Sequence, residues 1–182
     1  MPRWIAFLRA INVGGHTVKM ETLRALHETL GFSQVETFIA SGNVIFESPE
    51  KQAGVLERKI EVQLRGSLGY EVATFVRSAG ELSALAAYDP FPSAGTESGL
   101  NNLYIGFLRQ APEAAALEKL MAYRTPLNDF HLRRREIYWL CRTRMSDSTF
   151  SGALLEKALG MPTTLRNSTT IQKLAAKYAA PE

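Results

Sequence analysis

Residues 35–46 read Val35-Glu36-Thr37-Phe38-Ile39-Ala40-Ser41-Gly42-Asn43-Val44-Ile45-Phe46. β-Branched and aromatic residues crowd both ends, which favours extended backbone. At the centre, Ser41-Gly42-Asn43 suits a tight hairpin turn, since Gly and Asn tolerate positive φ. The expectation is a strand over 35–39, a turn, and a strand over 44–46. Upstream, Met20, Leu23, Leu26 and Leu30 recur at helical spacing and Gly31 closes the helix. Residues 11–17 form a glycine-containing loop before it, and residues 4–8 an apolar strand. Downstream, Ser48-Pro49 opens a second helix with Ser as N-cap and Pro at the first helical position. Leu56, Ile60 and Leu64 mark its buried stripe, and residues 72–76 read as a fourth strand. The order is β-α-β-β-α-β, that of a ferredoxin-like unit.

The order then repeats. Ser78 with Glu81 forms a capping box for a connecting helix over 79–87. Residues 89–99, with two prolines, two glycines and two serines, read as a linker. A strand over 103–108, a helix opened by Pro112, and a hairpin of 129–133 with 136–141 follow. A helix over 151–159 ends at Gly160, a short strand covers 163–165, and a last helix starts near Asn167 or Ser168. It buries Ile171, Leu174 and Tyr178. The expected class is α+β, with two ferredoxin-like α/β-plait subdomains in tandem. These are residues 1–88 with the connecting helix, the linker 89–99, and residues 100–182 with the terminal helix. Strands 4–8, 103–108 and 137–141 are apolar on both phases, so both faces of each sheet should be covered. That counts against an open RNA-stacking sheet, although Tyr104, Phe107 and Trp139 are aromatic candidates for one.

Composition narrows the class of protein. The 182 residues are 46% hydrophobic and 21% charged, which supplies ample core and excludes a disordered chain. The net charge of +3 is uneven: residues 1–100 carry 9 Lys/Arg against 11 Asp/Glu, and residues 101–182 carry 12 against 7. The excess lies between Arg124 and Arg144. A local field of this size attracts anions but does not by itself imply nucleic acid. Cys141 is the single cysteine, which fits a buried thiol in a reducing compartment. No apolar run approaches the ~20 residues of a membrane helix, and no signal peptide pattern is present. A cytoplasmic protein with no membrane partner is expected.

Several segments form a recognisable set: Arg9-Ala10-Ile11-Asn12-Val13-Gly14-Gly15, Leu30-Gly31-Phe32, Ser41-Gly42-Asn43-Val44, Arg77 with Glu81-Leu82, and Pro90-Phe91. Tyr138-Trp139-Leu140-Cys141, Leu155-Glu156-Lys157 with Leu159-Gly160, and Arg166-Asn167 with Thr170 extend it. Together they resemble the bacterial DUF1697 family. The resemblance implies two ferredoxin-like subdomains and implies no activity. Ala10 stands where the family usually has Gly, Ala40 replaces Gln, Ser168 replaces Trp, and residues 145–149 replace a glycine-containing stretch.

In a β-α-β unit the first two strands run parallel, so the loop after the first and the hairpin after the second share one end of the sheet. Arg9, Asn12, Gly14 and Gly15 are thereby expected beside Ser41, Gly42 and Asn43. A guanidinium, carboxamides, a hydroxyl and glycine amides at a helix N-terminus suit a phosphate or carboxylate. A second reading stands beside it: Gly14-Gly15 turn the chain, Ser41-Gly42-Asn43 make a hairpin, and Asn12 bonds loop backbone. Arg166 reads either as a second anion contact or as a salt-bridge partner holding the halves together, and Asn167 either as a ligand contact or, like Ser168, as the cap of the last helix. The loop lacks the Gly-Lys-Ser/Thr ending of a P-loop and the third glycine of a dinucleotide fingerprint.

The favoured expectation is a binding module for a small anionic ligand. One alternative is a nucleic-acid-binding protein using Arg133, Arg134 and Arg135, whose bland reading is a solvated hairpin tip. Another is a hydrolase with an unrecognised site, for which no general base is identifiable. His16, His27, His131 and Cys141 have no metal-ligand spacing, so no metal and no cofactor are expected. Oligomeric state is left open.

Overall fold

The computed structural model describes residues 1–12, 15–39, 42–92 and 102–179. The chain divides into two compact units, Met1–Leu85 with Leu174–Glu182, and Ala86–Lys173. The first contains β1 (Arg3–Leu8), α1 (Met20–Glu28), β2 (Ser33–Thr37), β3 (Asn43–Glu47), α2 (Ala53–Leu68) and β4 (Thr74–Ser78), with α3 (Ala79–Ala87) directly after. Its antiparallel sheet has the order β2-β3-β1-β4. Strand alternation sends Trp4, Ala6, Leu8, Val44, Phe46 and Val76 to one face, where they meet Leu23, Leu56, Ile60 and Leu64. Each such side chain is worth about 1.5–3 kcal/mol when fully buried. The opposite phase, Ile5, Phe7, Ile45, Phe75 and Arg77, is buried too, as the non-alternating sequence requires.

The second unit contains β5 (Asn102–Phe107), α4 (Ala114–Met121), β6 (Asn128–Arg133), β7 (Glu136–Cys141), α5 (Gly152–Leu159) and β8 (Thr164–Asn167). Its strands order as β6-β7-β5-β8, again antiparallel. Leu108, Leu120, Phe130, Ile137, Trp139, Phe150 and Leu155 form its core. Trp139 resolves its buried indole N–H by donating to Asn128 Oδ1 at 2.9 Å. Of the aromatic stacking candidates, Phe107 and Trp139 are fully buried and Tyr104 packs 5.2 Å from the Trp139 ring. They serve the interior.

Several local expectations shift. α2 starts at Ala53 with Gln52 as its N-cap, not at Ser48-Pro49. Ser48 Oγ accepts from Glu50 N, and the Glu50 carboxylate accepts from Lys51 N and Gln52 N. Those local bonds satisfy the backbone in a turn and delay the helix. β4 lies two residues later than expected, at Thr74–Ser78. Its amides at Thr74 and Val76 are met by Glu61 and Glu57 of α2, each at 3.0 Å. α4 begins at Ala114, after Glu113 rather than at Pro112. The capping box holds as drawn: Ser78 N donates to Glu81 Oε2 at 2.8 Å, and Glu81 N donates to Ser78 Oγ at 3.1 Å.

The division of the chain also differs from boundaries at 88 and 100. Helix α6 (Ser168–Tyr178) ends in the first unit, where Tyr178 donates to Glu36 at 2.7 Å and its carbonyl accepts from Arg3. Tyr88 belongs to the second unit, with its hydroxyl 2.7 Å from His131 Nε2. The expected linker over 89–99 lies outside the described residues beyond residue 92.

Candidate functional site

At the C-terminal end of β1 the chain is held on both sides. Leu8 N donates to Gly42 O, and Arg9 N donates to Ala73 O, both at 2.9 Å. The next residue, Ala10, sits at φ +51°. This left-handed conformation explains why the family pattern has Gly there. Ile11 is buried, and its carbonyl accepts from the Tyr70 hydroxyl at 3.0 Å. The Tyr70 ring stacks on His16, with centroids 3.9 Å apart. Asn12 Oδ1 accepts from Val18 N at 2.7 Å, which ties the loop shut just before α1. Gly15 has φ +83°, and a Cβ there would meet no atom of the described residues within 4 Å beyond its chain neighbours.

The hairpin meets this loop. Gly42, at φ +81°, lies so close to β1 that a Cβ there would fall 2.9 Å from Ile11 Cγ2 and 3.1 Å from Leu8 Cβ. Asn43 is fully buried and its Nδ2 donates to Phe38 O at 3.0 Å. Gly42 of the hairpin therefore lies against Leu8 and Ile11 at the head of the loop. Asn12 Oδ1 and Asn43 Nδ2 both bond neighbouring main chain, and for Asn12 this is the second of the two readings that the sequence left open. Gly14 and Ser41 lie outside the described residues. The sequence assigned no part to Tyr70, which links the α2–β4 connection to this loop. The N-cap of α1, Lys19, offers no side-chain bond to the first helical turn, whose leading amides have no partner within the helix itself.

The remaining candidates lie in the second unit. Arg166 is 7% exposed, and its Nη1 donates to Thr164 Oγ1 at 2.7 Å and Leu165 O at 2.9 Å. Burial lowers its pKa to about 10, which leaves it charged at neutral pH. Asn167 Oδ1 accepts from Thr169 N at 2.8 Å, the bond expected of a helix cap. In the arginine hairpin, the Arg133 guanidinium lies 3.9 Å over the Tyr88 ring, and Arg134 is exposed at φ +55°. Arg135 is half-buried, and its carbonyl accepts from Leu108 N.

Beside the hairpin stands a group the sequence did not single out. Tyr88 and His131 share a hydrogen bond, and Tyr138 packs 5.4 Å from Tyr88. Among the described residues the Tyr138 hydroxyl is buried without a hydrogen bond of good geometry. Desolvation, with the Glu136 charge, pushes that phenol up to about 12, against a smaller opposing effect of the Arg133 guanidinium. Among the described residues no group of three or more His, Cys, Asp or Glu side chains could hold a metal ion. Among the same residues no helix is long and apolar enough to cross a membrane.

Comparisons with known proteins agree with this architecture. A conserved bacterial protein of known structure from Streptococcus pneumoniae superposes with a TM-score of 0.77, over 99% of each chain, at 22% sequence identity. That likeness speaks to fold. No curated protein matches. The model of a family described as a protein of unknown function, DUF1697, matches residues 1–138. With three quarters of its length matched and the first-loop and hairpin residues in place, the chain belongs to the DUF1697 family.

Proposed function

We propose that the protein is a cytoplasmic binding module for a small anion, a phosphate- or carboxylate-bearing metabolite, held at the β1–α1 loop and the β2–β3 hairpin. The single observation that carries the reading is the seating of Gly42 on Leu8 and Ile11, because it fixes two polar bends against each other. Arg9 supplies the positive charge. The first-turn amides of α1, which the Lys19 side chain does not cap, supply backbone donors of the kind that bind anions. Asn12 and Asn43 hold the loops in shape, and Arg166 and Asn167 serve their own strand and helix. On this reading each half is a ferredoxin-like subdomain, supported by the β-α-β-β-α-β order and by the two sheet orders. A nucleic-acid site at the arginine hairpin is less favoured, since Arg133 is engaged with Tyr88.

Thermal unfolding in the presence of inorganic phosphate, nucleotides, phosphosugars and carboxylates tests the reading. A ligand at a hundred times its Kd stabilises by about 2.7 kcal/mol, or roughly 5–10 °C for a chain of this size. Arg9→Ala should abolish that rise. Absence of any shift across the panel, or a shift that Arg9→Ala leaves intact, refutes it.

A further inference from the structure

The second unit carries a surface that the anion reading does not use. Among the described residues, its exposed large hydrophobic side chains are Tyr123, Leu127 and Met145, at 38%, 51% and 40% exposure. All three lie on two neighbouring segments, residues 123–127 before β6 and residues 142–149 after β7. The segments are laced together. Arg142 N donates to Leu127 O at 2.9 Å, and Arg142 Nη1 donates to Pro126 O at 3.1 Å. Ser148 Oγ donates to Asn128 Oδ1 at 3.3 Å, and the Tyr123 ring sits 5.4 Å from that of Phe150. Scattered apolar residues on a surface need no explanation, but a cluster held on a fixed framework marks an interaction site.

We propose that this end of the β6–β7 hairpin docks an acidic protein segment bearing apolar side chains. The charge pattern selects the partner. Arg124, Arg142 and Arg144 flank the apolar residues, whereas Asp147 is the one acidic residue on the two segments. Asp129, in β6, pairs with Arg124 at 2.8 Å. At this end of the hairpin Arg124, Arg142 and Arg144 stand against Asp129 and Asp147, a net positive field that attracts carboxylates and guides encounter. Leucine and methionine accept inserted aliphatic or aromatic side chains, methionine with unusual adaptability. They offer no flat face for bases, and Tyr123 alone makes a poor stacking platform, so a nucleic acid is the weaker match. The lacing bonds order the surface beforehand and reduce the entropy lost on docking.

Selection of displayed twelve-residue peptides on the immobilised full chain tests the proposal, with synthetic versions of the winners measured by fluorescence anisotropy. The expected winners combine Asp or Glu with Leu, Ile, Phe or Met. Their affinity should fall at least tenfold in Leu127→Ser/Met145→Ser and in Arg144→Glu, and should weaken as salt rises. Far-UV circular dichroism establishes that both variants fold, and Arg144→Glu, a surface change, keeps the test open if the double variant does not. Enrichment no greater than on a blank surface overturns the proposal. So does enrichment of peptides without acidic residues, or binding that both variants retain. Tighter binding of oligouridine than of any peptide, or self-association lost in Leu127→Ser/Met145→Ser, assigns the surface to nucleic acid or to a second copy and overturns it equally.

Discussion

The two units repeat one hydrogen-bonding plan with different side chains. Ile5 of β1 stands opposite Ile45 and Arg77, and Ile105 of β5 stands opposite Tyr138 and Arg166. Phe7 and Phe107 occupy the next equivalent place, facing Asn43 with Phe75 and Glu136 with Thr164. Both arginines are buried, and each donates from Nη1 to the carbonyl just before it, Val76 O or Leu165 O. Each is followed by the cap of the next helix, Ser78 or Asn167. The β4 amides take glutamates from α2, and Thr163 N, at the head of β8, takes Glu156 of α5 at 3.0 Å. What recurs is therefore a set of backbone demands, met by side chains that need not match. The units part at their hairpins. The first packs Gly42 into β1, while the second turns in two residues with Arg134 in the left-handed region.

That contrast can be broken most strongly at the hairpins. Gly42→Val should cost about 3 kcal/mol in urea unfolding, from left-handed strain of about 1–2 kcal/mol and overpacking of about 1–3 kcal/mol. Arg134→Gly, which removes the same strain, should instead gain up to about 1 kcal/mol. Equal signs at the two positions would mean that the hairpins are not strained differently.

The caps sharpen the comparison at smaller scale. Ser78 and Glu81 exchange two bonds, whereas Asn167 makes one to Thr169. Ser78→Ala should cost about 1.5 kcal/mol and Asn167→Ala about half as much, read from the same unfolding curves. Next, Tyr138 stands where the first unit has Ile45, and among the described residues its buried hydroxyl makes no hydrogen bond of good geometry. Tyr138→Phe should be neutral or stabilising by up to about 1 kcal/mol. A clear loss would reveal a bonded group at that hydroxyl.

The last contrast is silent at neutral pH. His27 is buried on α1 between Phe32 and Phe46, with Nδ1 bonded to Leu23 O and Nε2 without a partner among the described residues. Desolvation lowers its pKa below the ordinary 6.5, against a smaller opposing effect of the Leu23 bond. Below pH 6.5 the unfolded chain therefore takes up the proton more readily than the folded one, and stability falls as pH drops through that range. The helix α4 buries Leu120 and no histidine. His27→Leu should flatten the decline in Tm between pH 7 and 5. An unchanged slope would place the acid sensitivity elsewhere.

Much of this was legible in the chain. The β-α-β-β-α-β order, Gly160 closing its helix, and the Ser78–Glu81 box follow from patterns within a few residues, whereas the first helix ends at Glu28 with Thr29 as its cap, short of Gly31. The proximity of the first loop to the hairpin followed from strand direction. The start of α2 was misread because Ser48 Oγ bonds Glu50 N in a turn rather than capping a helix. The bonding of Asn12 and Asn43 was left open because a carboxamide can donate or accept in many directions. Arg77 gave no sign of burial, since a strand arginine is ordinarily exposed.

By itself, the sequence determined the elements, their order and the family, because hydrophobic period, turn chemistry and caps act over single turns of chain. Only the tertiary structure decided which polar atoms are spent and which are left. Those allocations join residues far apart, Tyr70 to Ile11, Tyr88 to His131 and Tyr178 to Glu36. Long side chains choose their partners after strands distant in sequence have paired, and no local pattern encodes that choice.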